Sequence, residues 1–157
     1  MSTSTVNAGD KVPQFTLLAS NGGQVSLSDY LGKKLVIYFY PKDMTPGCTA
    51  ESCDFRDFNG EFAEYNAEVV GISPDDLPSH EQFISEYSLP FLLLSDTEHQ
   101  VAELFGVWKE QSWNGKTYIG VERSTFLIDE QGVLAREWRR VSVEGHASEV
   151  LAAVKEL

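Results

Sequence analysis

Two cysteines, Cys48 and Cys53, are all the thiols of a 157-residue chain, and they stand with four residues between them in the run YPKDMTPGCTAESCDFRD, Tyr40 to Asp57. Two thiols are too few to staple a domain of this length, and no basic and apolar leader marks the chain for an oxidising compartment. The pair is therefore read as chemical. A zinc or iron–sulfur site needs about four ligands, whereas His80, His99 and His146 are scattered without ligand spacing. No metal and no cofactor is expected. The chemistry left to the pair is that of the thiolate, which attacks electrophiles or exchanges with disulfides.

A reactive thiolate needs positive charge beside it. Within Tyr40 to Asp57 the cations Lys42 and Arg56 are outnumbered by Asp43, Glu51, Asp54 and Asp57. A helix N-terminus helps, because its unpaired N–H groups carry about half a positive charge, but an exposed helix end supplies only about 0.3–1 kcal/mol. A cation from elsewhere in the chain is required.

The elements that would place these groups read as alternating α and β. FTLLAS and QVSLSD flank NGG, the pattern of an opening hairpin. LVIYFY, Leu35 to Tyr40, is a continuous β-branched and aromatic run, the mark of a central strand covered on both faces, and Pro41 ends it. After Gly47, the spacing of Phe55, Phe58, Phe62 and Tyr65 predicts a helix that Gly60 weakens or bends. Cys48 then lies in the first turn of that helix. EVVGIS is the next strand, SHEQFISEYS a helix opened by Ser79, FLLLSD a strand, and TEHQVAELFG a helix closed by Gly106. KTYIGVE and RSTFLID lead through EQG into VLAREWRR, a strand pair joined by a turn, before a closing helix from about His146 to Glu156. The fold class is α/β, with a mixed sheet sandwiched by helices. One domain over 1–157 is expected, with 1–9 as a loose N-terminal tail.

These residues resemble the peroxiredoxins, and within them the bacterioferritin comigratory protein or peroxiredoxin Q subgroup. The family pattern of proline, three residues, Thr or Ser, two residues and cysteine is present as Pro41, Thr45 and Cys48 in PKDMTPGC. Cys53 matches the subgroup's resolving cysteine, and GVERSTFLID is similar to the segment that carries the active-site arginine, which puts that role on Arg123. The likeness runs from about Asp10 to the C-terminus. It implies a thioredoxin-like fold with an N-terminal β-hairpin extension, and thiol-dependent reduction of hydrogen peroxide and alkyl hydroperoxides. By the same resemblance Cys48 is oxidised to a sulfenic acid and resolved as a Cys48–Cys53 disulfide. Thr45 and Arg123 act as donors around the O–O bond, Pro41 shields the thiolate, and Glu51 orients Arg123. Thioredoxin or glutaredoxin is the implied reductant, and the implied state is a cytoplasmic monomer.

A geometric consequence is independent of the family. If both cysteines share one continuous helix, five residues advance roughly 7.5 Å and turn about 500°, which leaves their Cα atoms roughly 8.6 Å apart on nearly opposite faces. Bridged cysteines need Cα atoms within about 7 Å. A disulfide between them would therefore have to unwind the helix start.

Other classes are weighed against this reading. The formal net charge of −12 disfavours nucleic acid and anionic lipid as partners, and no apolar run reaches membrane-spanning length. A thioredoxin-type protein disulfide oxidoreductase would carry Cys-x-x-Cys, which is absent. A binding or holdase protein with incidental thiols stays open, and retained binding after Cys48→Ser would identify it.

Overall fold

The run LVIYFY supplies most of strand β3, Lys34–Phe39, near the middle of a seven-stranded sheet in the computed structural model, which describes residues 6–157. From edge to edge the strands are β2 (Gln24–Ser26), β1 (Thr16–Ala19), β5 (Leu93–Ser95), β4 (Ala67–Ser73), β3, β8 (Ser124–Ile128) and β9 (Leu134–Arg139). β3, β4 and β5 run parallel, whereas β8, β9, β1 and β2 pair antiparallel. The sheet is mixed, as expected, and the opening hairpin extends one edge of it.

Two-residue alternation along β3 divides the core. Leu35, Ile37 and Phe39 point to one side, where they meet Val70, Ile72 and Phe105 together with Val101 and Ala102 of α3 (Gln100–Leu104). Val36, Tyr38 and Tyr40 point to the other, against three longer helices: α1 (Pro46–Glu64), α2 (Leu77–Tyr87) and α4 (His146–Glu156). Parallel strands β3 and β4 need a crossover, and α1 provides it on the face that holds Cys48. Tyr38 stacks on Phe55 of α1 with ring centroids 4.9 Å apart, so the central strand grips the helix that carries both thiols.

The periodic segments form the expected elements with several corrections. α1 runs through Gly60 unbroken, because Phe55 and Phe62 on either side of it are fully buried. α2 opens at Asp76 rather than Ser79, since the Asp76 side chain accepts the Ser79 N–H at 3.1 Å. The expected helix over Thr97–Gly106 contracts to α3 alone, where Asp96 accepts the N–H groups of Val101 and Ala102 and so starts the helix late. β6 (Trp108–Trp113) was not foreseen, and it pairs with β7 (Lys116–Val121) as a separate two-stranded ribbon. The available signal was Asn114-Gly115, both at positive φ as a tight hairpin turn requires. Of the expected loose tail, residues 1–5 lie outside the described residues. In residues 6–9 Val6 is buried in the core, whereas Asn7, Ala8 and Gly9 are exposed, with the Gly9 N–H donating to Leu134 O at 2.8 Å.

Candidate active site

The site forms where β3 stops and α1 starts. The Tyr40 N–H still donates to Ile72 O at 3.1 Å, but Pro41 has no N–H to continue the ladder. Four residues later Thr45 takes the N-cap position in extended backbone, Pro46 follows inside the helix, and Cys48 lies in its first turn. Pro in the first turn loses nothing, because that N–H would be unpaired anyway. The Thr45 hydroxyl does not cap the helix; it donates to Lys42 O at 2.8 Å. The first N–H groups of the helix are therefore left uncapped by the Thr45 side chain.

Arg123 lies between β7 and β8 and reaches back across the sheet end. Its Nη2 is 3.3 Å from Cys48 Sγ, and its Nη1 donates to Glu51 Oε1 at 2.7 Å. Cys48 and Glu51 are one helical turn apart, so a single guanidinium spans both. Both are buried, Cys48 at 0% exposure, while the Arg123 side chain retains 17%. Gly47 makes the approach possible: a Cβ there would stand 3.1 Å from Arg123 Nη2. Burial pushes the Glu51 carboxyl up to about 7, with the Arg123 charge pulling against it. Burial alone would lower Arg123, but Glu51 and Cys48 outweigh it and hold the guanidinium above its ordinary value. Glu51 Oε2 has no hydrogen-bond partner among the described residues.

Of the residues singled out in the sequence, Cys48, Glu51 and Arg123 converge. Thr45 and Pro41 flank them on the loop, Thr45 with its hydroxyl turned to Lys42 and Pro41 half-buried. Cys53 lies farther along the same helix, half-buried, and both cysteines are free thiols. Their shared continuous helix meets the condition for the geometric argument above. His146 occupies the first position of α4, as expected, but it is buried against Thr125 Oγ1 at 2.7 Å, and burial pushes it down to about 4.

The sequence reading missed a buried polar network behind the loop. Asp43 accepts from Tyr40 Oη at 2.6 Å and from Ser79 Oγ at 2.8 Å, and lies 2.7 Å from His80 Nδ1. In the sequence Asp43 reads only as a nearby negative charge, and His80 only as a histidine without ligand spacing. Neither sequence neighbourhood reveals the other, because α2 brings His80 in from 37 positions away.

This arrangement holds a buried sulfur between a guanidinium and a helix N-terminus. Such a site stabilises a thiolate and, at the moment of attack, negative charge growing on a leaving oxygen. Among the described residues no group of His, Cys, Asp and Glu is placed to hold a metal ion.

Comparison with known proteins gives the same picture. The sequence model described as the AhpC/TSA family matches residues 8–137. The chain is 52% identical over 153 residues to Peroxiredoxin Bcp of Bacillus subtilis (strain 168), covering 98% of each chain. It overlays on a Xanthomonas campestris Peroxiredoxin Q structure with TM-score 0.86 and 44% identity over 90% of both chains. A Xanthomonas campestris Bacterioferritin Comigratory Protein, whose structures concern alkyl peroxide reduction, overlays with TM-score 0.86 and 43% identity, again over 90% of both chains. The overlays carry the thioredoxin-like fold that the resemblance implied.

Proposed function

The chain belongs to the AhpC/TSA family and is a peroxiredoxin, a thiol peroxidase, and from that premise we propose that Cys48 is its peroxide-attacking residue and Cys53 its resolving one. The observation that carries the assignment is the Arg123 guanidinium, 3.3 Å from Cys48 Sγ and held in place by Glu51. The Cys48 thiolate attacks one peroxide oxygen in line with the O–O bond. That bond breaks, the distal oxygen leaves with the electron pair and takes a proton as water or alcohol, and Cys48 becomes a sulfenic acid. Arg123 and the first N–H groups of α1 stabilise the leaving charge more in the transition state than in the ground state, which is what accelerates the step. In this reading the Thr45 hydroxyl turns from Lys42 O toward the peroxide, Pro41 shields the thiolate from water, and Glu51 fixes Arg123.

Cys53 then attacks the Cys48 sulfur, hydroxide leaves as water, and a Cys48–Cys53 disulfide remains, protected from further oxidation. A dithiol reductant, proposed as thioredoxin or glutaredoxin, restores both thiols. Hydrogen peroxide and small alkyl hydroperoxides are the proposed substrates, the latter supported by the Xanthomonas campestris relative described above. One peroxiredoxin domain over the whole chain, acting as a cytoplasmic monomer without nucleic-acid or membrane partners, completes the proposal. No helix of the described residues is long and apolar enough to cross a membrane.

The burial of Cys48 argues against direct exchange with protein disulfides. A sulfur at 0% exposure is out of reach of a folded protein's disulfide, whereas a small peroxide needs only a local shift of the side chains around it to meet it. Peroxide consumption coupled to thioredoxin, thioredoxin reductase and NADPH tests the reading, with turnover expected. No turnover with any thiol donor would overturn it.

A further inference from the structure

We propose that Asp43, clamped by His80, is a positioning residue for the peroxide step: it holds the loop between β3 and α1 in the strained shape that sets Thr45 and the first turn of α1 beside Cys48. The inference rests on the peroxidase reading and names a residue pair outside the roles given above.

The connection has six residues, Tyr40 to Thr45, in which to turn from a strand into a helix. Met44 makes the turn at φ 69°, a left-handed conformation in a residue with a long side chain. Such backbone costs about 1–3 kcal/mol and persists only where its surroundings over-determine it. Met44 itself is exposed and supplies no such hold. Its neighbour Asp43 does, because this aspartate at 5% exposure is anchored through its N–H and both carboxylate oxygens. Its N–H donates to Asp75 Oδ2 at 2.8 Å, and its carboxylate takes the three side-chain contacts from Tyr40, Ser79 and His80. These tie the loop to β3, to the segment before α2, and to α2 itself.

The proton inventory explains how two ionisable groups stay buried there. The Leu94 carbonyl, 3.0 Å from His80 Nε2, can only accept, so Nε2 carries a hydrogen. Tyr40 and Ser79 donate to the carboxylate, which leaves the 2.7 Å contact between Nδ1 and Oδ2 to hold one further proton. Whichever atom holds that proton, the pair is neutral as a whole, and every group in it is satisfied. Truncating Asp43 would orphan buried donors on Tyr40 and His80 and release the strain at Met44. A shift of about 1 Å in groups that align a reacting bond costs on the order of 100-fold in rate.

The test uses a Cys53→Ser background, so that only Cys48 reacts, and compares single-turnover oxidation by hydrogen peroxide with alkylation by iodoacetamide. Alkylation needs the thiolate but no alignment of an O–O bond. Asp43→Ala is expected to slow peroxide oxidation by roughly 30–100-fold while alkylation stays within about 3-fold. Asp43→Asn recovers most of that loss, since its amide oxygen accepts from Tyr40 and its N–H donates to neutral Nδ1. Should Asp43→Ala not fold, the paired variant Tyr40→Phe with Ser79→Ala removes two anchors at nearly unchanged packing, and about 10-fold slower oxidation with intact alkylation is expected. Parent-like oxidation in the variant that folds, an equal fall in both reactions, or an Asn variant as slow as the Ala one overturns the inference while an active parent leaves the peroxidase reading standing. An inactive parent overturns both.

Discussion

One guanidinium touches both the Cys48 sulfur and the buried acid beneath it: Arg123 Nη2 is 3.3 Å from Cys48 Sγ, and Nη1 is 2.7 Å from Glu51 Oε1. Removing it takes away a charge beside the thiolate and a donor to the leaving oxygen together. Arg123→Ala is expected to slow peroxide oxidation of Cys48 by on the order of 100-fold or more, as loss of one preorganised donor does elsewhere. Arg140→Ala, whose side chain is 85% exposed, serves as the charge-matched control and should leave the rate unchanged. Stopped-flow with stoichiometric peroxide measures both.

Gly47 separates activity from stability. A methyl group there would stand 3.1 Å from Arg123 Nη2 and must displace it by a few tenths of an ångström. The same substitution removes a poor helix former from α1 and stabilises the helix by about 0.5–1 kcal/mol. Gly47→Ala should therefore unfold at higher denaturant while oxidising roughly 10-fold more slowly, since misplacing the donor weakens it only in part. A variant that is both more stable and fully active would show that Arg123 is not seated on Gly47.

Glu51 gives stability a pH dependence. Its carboxyl is raised from 4.5 to about 7 in the folded chain, so between those values the folded state binds the proton and the unfolded state does not. Its contribution is fully present below about 4.5 and is lost as pH rises through about 7. His146, lowered from 6.5 to about 4, has the opposite sign: stability rises with pH across that range. Parent and Glu51→Gln share the histidine, so their difference isolates the acid. Urea midpoints from pH 4 to 8 should show the parent losing stability relative to Glu51→Gln as pH rises.

In the proposed mechanism the two thiols divide the labour. Cys48→Ser should abolish peroxide reduction, whereas Cys53→Ser should still consume about one equivalent per chain, because the sulfenic acid needs only the attacking thiol. Equal single-turnover rates for Cys48→Ser and parent would reverse the assignment.

Disulfide formation should melt the start of α1. Both cysteines belong to one 19-residue helix, a spacing that a disulfide does not span. Unwinding must break the contact between Tyr38 Oη and Ser52 Oγ at 2.8 Å and the bond from Arg56 Nη1 to Tyr87 O at 2.8 Å. It also loosens Phe55, whose burial contributes about 2–3 kcal/mol. With about 1 kcal/mol for each hydrogen bond, the open helix in the reduced protein is a minor state, on the order of one molecule in a thousand. Oxidised protein should lose helical far-UV signal and gain amide exchange across Cys48–Phe58, while β3 and β8 stay protected. Unchanged exchange, with the disulfide confirmed by mass spectrometry, would contradict the argument.

What the sequence determined by itself is whatever depends on near neighbours. The β-branched run at Leu35 marks a buried strand and the Phe spacing after Cys53 marks a helix. Pro41 stops the one and Pro46 and Gly47 open the other, so Cys48 lands in a first helical turn by local rules alone. His146–Glu156 was legible for the same reason, as an amphipathic segment with a Gly in front. Short elements were not: α3 is a single turn set by the Asp96 side chain, and β6 emerges only as the partner of β7 across Asn114-Gly115. Cys48, Cys53, Thr45, Pro41, Glu51 and Arg123 were picked out by motif, but the local charge count could say only that a cation was missing. Only the tertiary structure brings Arg123 across 75 positions to the sulfur and His80 across 37 positions to Asp43. Those contacts depend on which strand ends lie side by side, and strand order is set by packing both faces of the sheet at once, information that no single stretch of the chain contains.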